Sequence, residues 1–98
     1  MIAMTRPTFK FRLYVAQGTP NSVQAQANLN ALCRAHLPGR YSIEVVNVLT
    51  EQQRALADHI RMTPTLLKLS PGPVQKMVGT LGQTQRVLQT LGLEPIAQ

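Results

Sequence analysis

The chain has 98 residues, of which 44% are apolar and 14% charged, with one cysteine and a formal net charge of +6. That length bounds a single domain with a modest core, and no apolar run approaches the roughly 20 residues that a membrane-spanning helix needs. The lone Cys33 rules out an internal disulfide and any multi-cysteine zinc site, so a reduced, cytoplasmic setting is the expectation.

Residues 1–8 read as a flexible tail without the apolar stretch of a secretion signal. Phe9, Phe11, Leu13 and Val15 then alternate with Lys10, Arg12 and Tyr14, which predicts a strand with one apolar face. Its other face is basic and is expected to be wet or to meet an acidic neighbour. Gly18-Thr19-Pro20-Asn21-Ser22 reads as a helix start, with Thr19 as N-cap and Pro20 at the first helical position. Ala25, Leu29, Leu32, Cys33 and His36 follow on one helical face, and Pro38-Gly39 ends that helix. A second strand is predicted over Tyr41–Val48. Thr50-Glu51-Gln52-Gln53 matches a capping box, and Leu56 and Ile60 are expected to anchor a short helix reaching about Arg61. Thr63-Pro64 interrupts the chain before a third strand at Thr65–Leu69. Ser70-Pro71-Gly72-Pro73 is a turn by composition. Val74–Val78 reads as a fourth strand, and Gln83–Leu91 as a last helix with Gly92 just past its end. The domain is thus placed at residues 9–93, with a short tail at 94–98.

The predicted order is βαβαββα. A strand–helix–strand start implies a parallel pair with a right-handed crossover, and the proline-rich turn implies a hairpin. The simplest closure is a four-stranded mixed sheet with helices on both faces, the thioredoxin-like α/β architecture. Pro64 then occupies the place where that fold keeps a cis-proline, a form only an X–Pro bond reaches at low cost.

The chemistry expected of such a frame is missing from its usual position. A thiol enzyme needs an activated cysteine in the loop before the first helix, and residues 18–22 contain no sulfur. Cys33 lies about three turns further on, on the apolar face, and a glutaredoxin-like use of it is the enzymatic alternative. A phosphate loop would want several glycines and a lysine, whereas this loop has one glycine and no lysine. His36 and His59 have no cluster of carboxylates or thiols near them in sequence, so no metal site is expected. The ten basic residues are dispersed from Arg6 to Arg86 and the chain has no Trp, which disfavours nucleic-acid binding. No catalytic residue and no cofactor are assigned. A binding or regulatory module is the expectation.

Four segments, "LYVAQGTPNSVQA", "YSIEVVNVL", "TPTLLKL" and "PVQKMVG", occur in the order and at the spacings of the KaiB family of circadian clock proteins. The resemblance covers about residues 9–90 and is most specific in Gly18, Thr19, Pro20, Asn21 and Ser22. The sensory N-terminal domain of the SasA histidine kinase is a more distant likeness and supplies an alternative reading. The resemblance implies a non-enzymatic regulator that binds a KaiC-like ATPase and, in a full clock, a KaiA-like protein or a histidine kinase. It implies a homo-oligomer, tetramer or dimer, with ground-state order βαββααβ. A switched state of order βαβαββα would be the one that binds the partner, with about residues 50–93 rebuilt between the two. Pro64, Pro71 and Pro73 match prolines of the segment that is rebuilt. Gly72 and Thr80 stand where the family has proline and aspartate, and Asn47 where it has aspartate. Glu44 and His59 stand where it has lysines. With Ser42, those two are the candidate partner-facing residues, chosen for expected exposure.

Overall fold

Period-two patterning in the first strand sets the layout of the molecule. The structure is a computed structural model that describes residues 8–93, so the tails assigned to 1–8 and 94–98 lie outside it apart from Thr8. Its elements are β1 (Phe9–Val15), α1 (Pro20–His36), β2 (Tyr41–Asn47), α2 (Gln52–Ala57), β3 (Thr65–Ser70), β4 (Gln75–Val78) and α3 (Thr84–Leu91). The sheet order is β2-β1-β3-β4. β1 runs parallel to β2 and antiparallel to β3, and β3 and β4 form the hairpin. This is the βαβαββα order given by local pattern, the one the family resemblance assigns to a switched state. The order βαββααβ is not the arrangement seen here. Among the described residues no helix is long and apolar enough to cross a membrane.

The two faces of β1 bury different things. Phe9, Phe11, Leu13 and Val15 point into a core shared with Leu29 and Cys33 of α1 and with Val87, Leu88 and Leu91 of α3. Each large apolar side chain buried there contributes about 1.5–3 kcal/mol. Tyr14 points the other way, into a smaller cluster with Val46, Ala55 and Leu67 beneath α2. The thin layer over this second face is what α2 provides.

Helix ends explain where the sequence reading and the structure part. α3 closes on Gly92 at φ +77°, with Gly92 N–H donating to the Gln89 carbonyl and Leu93 N–H to the Leu88 carbonyl. That is the expected glycine-terminated Schellman motif. α2 ends in the same motif without a glycine. His59 takes φ +56°, its N–H donates to the Leu56 carbonyl, and Ile60 N–H donates to the Ala55 carbonyl. The helix therefore stops at Ala57 rather than reaching Arg61. Its start differs too. Thr50 spends its hydroxyl on the Asn47 carbonyl at 3.3 Å, and Glu51 is the N-cap without a side-chain capping bond, so the predicted capping box does not form. Leu56, expected to be an anchor, is 73% exposed, and Ala55 takes the inward position beside Ile60. β4 and α3 each begin one residue later than expected, at Gln75 and Thr84.

Candidate functional site: the face around helix α2

The opening loop is a structural joint. Gly18 has φ +86°, which a residue with a Cβ adopts at a cost. Thr19 is the N-cap residue by position, but its hydroxyl donates back to the Ala16 carbonyl at 2.8 Å. Pro20 opens α1 and Asn21 is exposed. Ser22 is buried, and its Oγ accepts the Ala16 N–H at 3.0 Å. Asn47 closes the loop from β2. Its Oδ1 accepts the Gln17 N–H at 3.3 Å and its amide donates to Gln17 Oε1 at 2.9 Å. Thr19 N–H donates to the Ala16 carbonyl at 3.1 Å. The amides of Ala16, Gln17 and Thr19 are thus spent inside the protein.

Cys33 is fully buried, and burial pushes its thiol up to about 12. At neutral pH it carries no thiolate, so the glutaredoxin-like use of Cys33 has no nucleophile. The Thr63–Pro64, Ser70–Pro71 and Gly72–Pro73 bonds are cis, and Pro64 is buried where the thioredoxin-like frame places its proline.

The second face of the sheet carries an ion-pair cluster that ties α2 down. Arg12 on β1 donates from Nε to Glu44 Oε1 at 2.9 Å and from Nη1 to Asp58 Oδ2 at 3.0 Å. Arg54 on α2 pairs with Glu44 Oε2 at 2.7 Å and with Glu51 Oε1 at 3.3 Å. The Tyr14 hydroxyl, buried under the helix, donates to Asp58 and stands 3.0 Å from the Arg54 carbonyl. Lys76 reaches over from β4 and donates to the Asp58 and His59 carbonyls at 3.3 and 3.2 Å, satisfying the open end of the helix. Hydrogen bonding from Tyr14, and then from Arg12, holds the Asp58 carboxyl below its usual range. Arg12, then Arg54, does the same for Glu44. Burial and the Asp58 carboxylate hold the Tyr14 phenol above its usual range.

The three candidate partner-facing residues fare differently. Ser42 is exposed at the start of β2, opposite Lys10. His59 is exposed at the end of α2, and its carbonyl is taken by Lys76. Glu44 faces solvent as expected, yet its carboxylate is already paired with two arginines. Tyr14, Arg54 and Asp58 were not legible as site residues. Their signals were the polar face of β1 and the i, i+4 spacing of Arg54 and Asp58, but joining them needs the crossover that lays α2 on β1. Around the cluster stand Leu49, Leu56 and Met62, 61%, 73% and 63% exposed. They come from the loop before α2, the helix itself and the loop after it.

The frame and its loop define a thioredoxin-like α/β domain with no sulfur at the redox position. A family model described as the KaiB domain matches residues 12–93. The circadian clock oscillator protein KaiB of Acaryochloris marina is 44% identical over 88 residues, which is 90% of this chain and 85% of that protein. The solution structure of the N-terminal domain of Synechococcus elongatus SasA is similar with a TM-score of 0.73 at 22% identity, covering 99% of this chain and 96% of that one. Chloroplastic thioredoxin z is similar with a TM-score of 0.71 at 18% identity, over 89% of this chain and 78% of that one. The two structural likenesses describe the fold. The family model and the sequence identity go further: this chain belongs to the KaiB family of circadian clock proteins.

Proposed function

We propose that this chain is a non-enzymatic regulator of circadian or stress-related signalling that binds a KaiC-type ATPase through the face around α2. The observation that carries the reading is the combination of exposed Leu49, Leu56 and Met62 with a cluster whose charges are already paired. Covering such a face removes apolar surface from water. It strands no lone charge, the penalty that usually opposes burying ionic groups. Ser42 and His59 form the polar rim, and Glu44 orders the arginines beneath it. The same reading includes exchange with a homo-oligomeric form, tetramer or dimer, in which about residues 50–93 are rebuilt around Pro64, Pro71 and Pro73. A KaiA-like protein or a histidine kinase is a secondary partner class, and the cytoplasm is the compartment.

Co-elution with a KaiC-type ATPase from the same genome, in its unmodified and phosphomimetic forms, tests the proposal. A complex is expected after long incubation, and none after a day would sink the reading. Leu56→Asp with Met62→Asp is expected to weaken that complex at least tenfold, which corresponds to about 1.4 kcal/mol. The melting temperature should stay within the small range of surface substitutions. An undiminished complex would move the contact elsewhere on the molecule.

A further inference from the structure

The sheet ends on β4, and among the described residues no strand pairs with its outer side. Across the hairpin, Gly79 N–H donates to the Pro64 carbonyl at 2.9 Å. Residues of an antiparallel ladder turn their main chain toward the partner strand in alternation. Met77 and Gln75, in register with Leu66 and Lys68, therefore turn theirs toward β3. The N–H and carbonyl groups of Lys76 and Val78 turn outward. Natural proteins commonly guard such an edge with a lysine. Here Lys76 is committed elsewhere: its ammonium lies on the end of α2, donating to the Asp58 and His59 carbonyls. Val74 and Val78, which flank it, are 62% and 54% exposed.

Beside this edge, on the α2 side of the sheet, lies an open groove of about 330 Å³. Ile60, Met62 and Val78 give it apolar walls, and Arg61 and Lys76 bring positive charge to it. The ion pairs among the described residues do not include Arg61. Asp58, the neighbouring carboxylate, is already held by Arg12 and Tyr14. Edge and groove together select the occupant. The edge presents donors and acceptors in turn, which an extended peptide main chain matches. A phosphodiester or a lipid headgroup supplies acceptors and would leave the outward carbonyls unmet. The groove asks for an apolar side chain with a carboxylate nearby. A second copy of β4 would bring Lys76 and Arg61 of both chains to one seam, against the net charge of +6 that each chain carries.

We propose that the outer edge of β4 takes up an extended acidic segment of a protein partner as a fifth strand. Its main chain pairs with Lys76 and Val78, an apolar side chain enters the groove, and a carboxylate meets Arg61. The edge adjoins the α2 face and shares Met62 with it, but the inference does not rest on an ATPase binding there. The probe is a labelled octapeptide of alternating glutamate and valine, followed by fluorescence anisotropy. It is expected to bind at low salt and to weaken as salt rises. The same peptide with every second amide N-methylated keeps its charge, loses strand pairing and is expected to bind at least tenfold more weakly. Arg61→Gln is expected to weaken binding at least threefold, and Arg34→Gln on α1 less than twofold. Val78→Asp sets a carboxylate against the segment and is expected to abolish binding. If Val78→Asp fails to fold by circular dichroism, amide exchange by NMR on the unaltered protein replaces it: the Lys76 and Val78 amides should exchange at least tenfold more slowly with peptide bound. No binding, equal binding of the methylated peptide, equal losses in the two arginine variants, protection at β2 instead of β4, or self-association through β4 in place of peptide binding would each overturn the assignment.

Discussion

Asp58 shows how one side chain ties the end of α2 to β1. A single carboxylate oxygen takes hydrogen bonds from Tyr14 and Arg12 of β1 while its own residue ends α2. The side chain is 28% exposed, so water screens part of the attraction, and Asp58→Asn is expected to cost about 1 kcal/mol at pH 7. For a domain of this size that lowers the melting temperature by about 4–8 °C. The effect has a defined pH dependence. A carboxyl whose pKa is depressed in the native state contributes fully above its unfolded value, about 4 for Asp and Glu. The contribution is lost as pH falls through that value toward the native one. Both Asp58 and Glu44 are depressed. Thermal melts should therefore show the gap between wild type and Asp58→Asn narrowing from pH 6 to pH 3. A gap that stays constant across that range would mean the carboxylate charge contributes nothing to holding α2.

Helix α2 is the element in which sequence and structure diverge most, and the cause is local. Strand alternation in β1 and β2, the hairpin turn and the Gly92 stop of α3 were all legible, because each has its own residue signal. The stop of α2 has none, since the left-handed position that ends it is filled by His59. The Thr50–Gln53 pattern pointed to a capping box, but Asn47 captures the Thr50 N–H and hydroxyl and fixes a different entry to the helix. The basic face of β1 announced acidic neighbours, and it meets Glu44 and Asp58. Which acids they are depends on the β1–β2 register and on the path of the crossover, neither of which pattern alone supplies. The left-handed histidine makes a direct prediction. A residue with a Cβ pays roughly 1 kcal/mol or more in that conformation, partly offset for glycine by the greater freedom of its unfolded chain. His59→Gly should therefore raise stability by about 0.5–1 kcal/mol, measured by urea denaturation. Destabilisation would show that the His59 side chain contributes contacts that outweigh its backbone strain.

At the scale of the whole molecule, the ion-pair cluster crosses the boundary that the proposed function draws. Arg12, Tyr14 and Glu44 belong to the front half, about residues 9–48, expected to be kept between two states. Arg54, Asp58 and Lys76 belong to the half expected to be rebuilt. Every bond between the two groups belongs to the arrangement described here, and each one that a rebuilt half did not remake would bias the proposed exchange toward this fold. An exchanging pair of folds separated by a few kcal/mol is sensitive to changes of that size. Tyr14→Phe removes the hydroxyl that donates to Asp58 without emptying the space beneath α2. A hydrogen bond to a charged group contributes about 1.5–3 kcal/mol. Losing it should therefore move a two-state population by roughly tenfold or more. His59→Gly stabilises the end of α2 as it stands here and should move the population the opposite way. Amide NMR spectra of the three proteins at matched concentration would show this as a second set of signals for residues in the rebuilt half. The set should grow in Tyr14→Phe and fade in His59→Gly, while size-exclusion profiles shift toward and away from an oligomer. One unchanging set in all three proteins would mean that this chain holds a single fold and that any partner meets it as described here.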